Sequence, residues 1–265
     1  LVFVVFSFLL IRSVLREVKQ REELQEKTVE LEKANLRLQE LDKQKTEFLS
    51  IASHQLRTPL SIVKGYIELI NDGAYGKPSK DLREILNNMD TSNEHLIKLV
   101  DEFLDISRIE QGRTKFSFAN TSLTKMIEQV AEELKIKADE KGVELSVHLP
   151  HHEVMAMVDE EKIRHVVYNF TDNAIKYTPQ GKVSLDLSVE GGNVIIFKVN
   201  DSGIGFGKVD EANFFQKFYR GANVKDTGIA GTGLGLYVCL KFIENHGGRV
   251  WAKSSGLGHG SEFGF

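Results

Sequence analysis

At 265 residues, 41% of them hydrophobic, the chain is long enough for one to three domains with ordinary cores. A net charge of −4 and a pI of about 6.1 give no general attraction to nucleic acid. The single cysteine, Cys239, excludes an internal disulfide and fits a reducing compartment.

Leu1 to Ile11 is apolar except for Ser7, and Arg12, Arg16, Lys19 and Arg21 follow. A membrane crossing needs roughly 20 apolar residues. The run therefore reads as the inner end of a longer transmembrane helix, within residues 1–13. The basic residues behind it put the rest of the chain in the cytoplasm by the positive-inside rule, which implies the plasma (inner) membrane. A signal-peptide core would need a basic leader and a small-residue cleavage site. A buried helix would leave the charged sequence that follows unexplained.

From Val14 to about Tyr66 the pattern is helical, with no proline before Pro59. Leu24, Leu31 and Leu38 recur every seven residues, and Thr28 and Asn35 hold the alternate seam positions. Residues 14–45 thus read as a coiled coil, expected as a parallel dimer. Leu41 and Phe48 are out of phase with this seam, a shift that locally unwinds a coiled coil. Residues 46–112 read as a helical hairpin. Asn71 to Pro78 is a dense turn signal, and Asp81 to Ile109 keeps Leu82, Ile85, Leu86, Met89, Leu96, Leu99 and Phe103 on one broad face. Doubled in a homodimer, the two antiparallel helices make an all-α four-helix bundle.

Residues 116–265 mix helices and strands in an α+β sandwich. Helices are expected at Thr121–Glu140, Glu160–Lys176 and Leu234–Asn245. Strands are expected at Val143–Leu149, Val154–Val158, Val183–Val189 and Val194–Val199, with a terminal pair between Arg249 and Phe265. Glu190-Gly191-Gly192-Asn193 is a hairpin signal. His151-His152 has no partner at metal-ligand spacing and reads as a turn.

Four segments carry chemistry. In Phe48-Leu49-Ser50-Ile51-Ala52-Ser53-His54-Gln55-Leu56-Arg57-Thr58-Pro59, His54 is offset from the apolar seam and is expected to point outward. A lone histidine is more often structural, but an exposed imidazole, largely neutral at pH 7, can act as a nucleophile. Pro59 removes a backbone donor and is expected to kink the helix. The segment resembles the phosphoacceptor box of the sensor histidine kinases. The resemblance implies that His54 takes a phosphoryl group and that Thr58 positions water when a partner is dephosphorylated. The family usually has an acid after the histidine and this chain has Gln55, whose amide oxygen can hold the far ring N–H but cannot accept a proton.

In the second segment Asn169, Asn173, Lys176 and Tyr177 stand on one helix face, with Val166, Val167, Phe170, Ala174 and Ile175 behind it. Polar residues on one face usually mark solvent, yet two amides and a lysine suit Mg²⁺ and phosphates. The third, Asn200-Asp201-Ser202-Gly203-Ile204-Gly205, puts a carboxylate at a strand end and glycines where backbone can approach a flat ligand. Alone it reads equally well as a turn. The fourth is Gly228-Ile229-Ala230-Gly231-Thr232-Gly233-Leu234-Gly235, opening a helix as phosphate-binding loops do. It is neither a Rossmann fingerprint nor a P-loop. Between the third and fourth lie Phe218, Tyr219 and Arg220, read as a lid whose arginine reaches a terminal phosphate.

The order of these elements resembles the ATP-binding domain shared by histidine kinases, Hsp90-type chaperones and type II topoisomerases. That resemblance implies that Asn173 ligates Mg²⁺ and Asp201 reads adenine. Asn169, Lys176, Tyr177, Gly203, Gly205, Phe218, Tyr219, Arg220 and Gly231, Thr232, Gly233, Leu234 and Gly235 would complete an ATP site. The function implied is a kinase that phosphorylates its own His54, passes the group to an aspartate of a response regulator, and also acts as phosphatase on that regulator. Two rivals remain: another ATPase of the same nucleotide fold, which has no use for the His54 segment, and a dimeric scaffold whose kinase has decayed.

Overall fold

The computed structural model describes residues 2–112, 114–191, 194–221 and 231–265. The chain divides into two units, Leu1–Pro59 and Leu60–Phe265. Helix α1, Val2–Asn71, fills the first unit and enters the second. Pro59 lies inside it without ending it. Among the described residues no helix is long and apolar enough to cross a membrane. Leu24, Leu31 and Leu38 stay 66–70% exposed in the single chain, so the seven-residue seam has nothing to pack on here.

In the second unit α1 runs on to a turn in which Gly73 and Gly76 take positive φ. Helix α2, Lys80–Glu110, starts where Ser79 Oγ accepts the Leu82 N–H (3.2 Å) and carries Asp81 in its first turn, both favourable at a helix N-terminus. The end of α1 and α2 pair antiparallel. Asn93 donates to the Leu60 carbonyl (2.9 Å), Lys64 meets Glu94 (2.7 Å), and Asn71 donates to Asn87 (3.5 Å). Ile67 and Leu86 are buried. Ile62, Tyr66, Ile85, Met89 and Leu96 remain exposed on the hairpin.

A two-layer α+β domain follows. Strand β1, Phe118–Ser122, pairs antiparallel with β3, Met155–Asp159. Helix α3, Leu123–Glu140, leads to β2, Val143–His148, and helix α4, Glu160–Tyr177, to β4, Gly181–Glu190. Then come β5, Val194–Asp201, the short α5, Lys208–Glu211, helix α6, Gly235–Asn245, and strands β6, Trp251–Lys253, and β7, Ser261–Gly264. The main sheet has the order β2-β4-β5-β7-β6, with β2 and β4 parallel and the other pairs antiparallel. The expected β4–β5 hairpin is present; Gly192 and Asn193 at its tip lie outside the described residues.

Alternation sets the layers. In β4, Val183, Leu185 and Leu187 are buried, while Ser184 and Asp186 share a polar network with Asn200 and His148. Their apolar face meets Ile127, Val130 and Leu134 of α3, Val166, Phe170 and Ile175 of α4, and Val238, Cys239 and Phe242 of α6. Each fully buried phenylalanine here contributes roughly 1.5–3 kcal/mol through burial. Two elements differ from expectation. The segment Phe118–Ser122 is a strand where the helix was expected to begin at Thr121, because Ser122 caps α3 by accepting the Lys125 N–H. The other is α5, too short for a periodic signal.

Candidate functional site

In the first unit the His54 backbone is part of α1. Its side-chain direction, expected outward, lies outside the described residues. Ser53 is buried, whereas Gln55 and Thr58 are exposed, and Phe48 and Ile51 beside them are exposed apolar residues.

In the second unit the asparagine face of α4, the end of β5, and the glycine loop before α6 converge on one cavity. Asn169, Asn173, Lys176 and Tyr177 all line it, while Phe170, Ala174 and Ile175 anchor the same helix in the core. Asn173 Nδ2 donates to Asn169 Oδ1 at 3.0 Å, which keeps the Asn173 oxygen, the atom a hard cation takes, out of that bond. Burial pulls the Lys176 ammonium below its ordinary pKa, and the positive charges of Lys98 and Arg220 add to this. An anion brought to this wall would relieve both effects.

Asp201 sits at the end of β5 and lines the cavity. Burial pushes its carboxyl up, against the hydrogen bonds it accepts from the Ser261 hydroxyl and the Gly203 N–H (2.8 Å). Ile204 N–H bonds the Tyr177 carbonyl (3.1 Å) and ties this loop to the end of α4. Gly205 has φ +58°, and a Cβ there would stand 2.2 Å from the Gly256 carbonyl oxygen, so only glycine fits. Ile204, Phe206, Phe214 and Phe263 give this end of the cavity an apolar lining. The Phe206 and Phe214 rings meet edge-on at 4.6 Å.

At the other end Gly231, Thr232, Gly233 and Gly235 line the cavity, with Tyr219, Arg220 and Gly221 beside them. Tyr219 is fixed by its hydroxyl donating to Asp210 (2.9 Å). A Cβ on Gly235 would lie 2.7 Å from Asn169 Nδ2, so the glycine loop is pressed against the asparagine helix. Gly203, Leu234 and Phe218 are not among the lining residues. The first acts through its backbone on Asp201, the second is a core residue (1% exposed), and the third is 64% exposed with φ 61°. Gly228, Ile229 and Ala230 lie outside the described residues.

Sequence reasoning missed three lining residues from α2: His95, Lys98 and Glu102. Their spacing of three and seven marks one helix face, but polar residues at that spacing read as solvated. Glu102 is only 5% exposed, and burial pushes its carboxyl up.

The arrangement has a flat apolar end with a buried carboxylate, and a cationic end with backbone N–H groups at a helix start. Among the described residues no three His, Cys, Asp or Glu side chains could hold a metal ion by themselves. A cation here fits only as one shared between Asn173 and a bound phosphate, the usual arrangement for Mg²⁺.

Comparison with known proteins agrees with this geometry. The family model for the His Kinase A (phospho-acceptor) domain matches residues 44–112, and that for the histidine kinase-, DNA gyrase B-, and HSP90-like ATPase matches residues 158–265. The chain is 36% identical over 245 residues to the circadian input-output histidine kinase CikA of Synechococcus elongatus, covering 90% of this chain and 32% of that protein. It is 30% identical over 220 residues to the sensor histidine kinase WalK of Bacillus subtilis, covering 82% and 35%. The chain belongs to the sensor histidine kinases. This histidine kinase spans about a third of the length of these two relatives. Its fold is similar to that of full-length ShkA in complex with AMPPNP, with a TM-score of 0.66 and 31% identity over 83% of this chain and 45% of that one. It is also similar to the Acinetobacter baumannii histidine kinase AdeS, with a TM-score of 0.55 and 26% identity over 80% and 95%. Most residues lining the cavity fall within the matched ATPase domain, and His95, Lys98 and Glu102 within the matched phospho-acceptor domain.

Proposed function

We propose that the chain binds ATP in the α4–glycine-loop cavity and transfers the γ-phosphoryl group to His54. The observation that carries this is the convergence of Asn169, Asn173, Lys176 and Tyr177 with Asp201, Arg220, Gly231, Thr232, Gly233 and Gly235 around one cavity. The chain's other matched domain is a phospho-acceptor.

Asp201 would accept from the exocyclic amine of adenine between apolar walls. Lys176, Arg220 and the backbone of the glycine loop would hold the phosphates. Asn173, with the phosphates, would hold Mg²⁺, which when bound offsets their charge. A neutral His54 ring nitrogen then forms the N–P bond while the bond from the γ-phosphorus to its bridging oxygen breaks, leaving ADP. Gln55 would orient the ring through its far N–H, and the ring proton is lost to solvent. Catalysis is mainly positioning and electrostatics, as in other phosphoryl transfers.

An aspartate of a response regulator would take the group next, and in the phosphatase reaction Thr58 would position the water that hydrolyses that phosphoaspartate, releasing inorganic phosphate. The exposed apolar residues of α1 and α2 support a homodimer that buries them in a four-helix bundle. The apolar run Leu1 to Ile11 with basic residues behind it supports a membrane-facing N-terminal end and cytoplasmic domains. The test of the central step is label from γ-labelled ATP that appears on the chain and is lost in His54→Ala.

A further inference from the structure

The α2 wall of the nucleotide cavity has a feature that the nucleotide reading leaves unused. Glu102 is a buried acid whose carboxylate accepts from the hydroxyl of Thr232, inside the glycine loop. Thr232 Oγ1 in turn accepts the Leu234 N–H at 3.1 Å, at the start of α6. A glycine loop ahead of a helix presents backbone N–H groups and the positive end of the helix dipole, a setting that favours an anion. Here that anion is supplied by the chain itself. Eight residues on, Glu110 of the same helix pairs with Lys217 and accepts from the Tyr237 hydroxyl (3.5 Å). Two acids of α2 therefore join Ile106, which packs in the apolar core, in docking the helix.

We propose that Glu102 occupies the place of a nucleotide phosphate, so that docking of α2 through Glu102 and binding of a nucleoside triphosphate at the glycine loop compete. The inference rests on the ATP reading of the cavity and adds to it a residue from the phosphoacceptor hairpin. A carboxylate and a phosphate cannot share Thr232 in a partly buried site without strong like-charge repulsion. The docked state also holds its acid at a cost, since burial opposes the charged form of Glu102 and Lys98 on the same face offsets only part of this. Nucleotide would thus displace Glu102 from the loop and loosen α2, linking the occupancy of the ATP site to the freedom of the hairpin that carries His54.

The experiment titrates the 265-residue chain with a non-hydrolysable ATP analogue and Mg²⁺ by calorimetry, beside Glu102→Gln and Asp201→Asn. The glutamine keeps the size of the side chain and its bond to Thr232 but removes the charge. Competition predicts that Glu102→Gln binds about 5- to 150-fold more tightly than the parent, the range of ordinary coupling between sites. It also predicts that the analogue speeds hydrogen exchange of the Lys98 to Ile106 amides in the unaltered chain. Unchanged affinity in Glu102→Gln together with unchanged exchange would overturn the proposal and leave Glu102 a buried structural acid. If Asp201→Asn bound as the parent does, the ATP reading itself would fail, and the competition with it.

Discussion

Replacing Gly235 by alanine should separate nucleotide binding from folding. The added Cβ would lie 2.7 Å from Asn169 Nδ2 and 3.3 Å from its Oδ1. Asn169 is 8% exposed and bonded to Asn173 at 3.0 Å, so its amide can give way only by breaking that bond and leaving its rotamer. A lost neutral hydrogen bond costs about 1 kcal/mol and an off-rotamer side chain about 1 kcal/mol more. Alanine at the first residue of α6 returns roughly 0.5–1 kcal/mol in backbone entropy. The net loss of stability is then about 1 kcal/mol, a shift of a few degrees in Tm for a domain of this size. ATP binding should suffer more, because both amides move. One contact to a charged group contributes about 1.5–3 kcal/mol, so affinity should fall roughly ten- to 150-fold. Calorimetric titration with Mg²⁺ and a non-hydrolysable ATP analogue, beside thermal unfolding, reads both quantities. Parent-like affinity in Gly235→Ala would refute the role given to the asparagine pair.

Two further outcomes follow from buried charge. His165 Nε2 is buried without a hydrogen-bond partner among the described residues, and burial pulls the ring from 6.5 down to about 4. Because the folded-state pKa is the lower one, the unfolded chain takes up this proton first. Stability is intact above pH 6.5 and falls by roughly 3 kcal/mol as pH drops to about 4. Thermal unfolding of His165→Leu should show a shallower acid slope, and an unchanged slope would remove the assignment. Asp201→Asn should weaken ATP binding by at least about tenfold, the value of a hydrogen bond to a charged group. Since burial lifts the Asp201 carboxyl, affinity of the parent should decline as pH falls toward that raised value, and the asparagine variant should lack this limb.

Much of this site is legible in the sequence because it is local. The spacing of Asn169, Asn173, Lys176 and Tyr177 fixes one face of one helix, and the apolar residues behind it say which face is buried. Gly205 and Gly235 likewise mark places where a side chain has no room. The contribution of α2 is different. His95, Lys98 and Glu102 look like a solvated face, and only the packing of α2 against the ATP-binding domain turns Glu102 into a buried acid on Thr232. Phe218 errs the other way: an aromatic beside Arg220 suggests a contact, yet a positive φ turns the chain and leaves the ring exposed. Strand β1 was hidden because Phe118–Ser122 has no apolar alternation and is held by its pairing with β3.

The most direct test of the account is to incubate the chain with γ-labelled ATP and Mg²⁺ beside His54→Ala. The account predicts acid-labile label on the parent and none on the variant, with the two binding a non-hydrolysable ATP analogue equally well. Label of the same amount on His54→Ala, or analogue binding with no label on the parent, would contradict it.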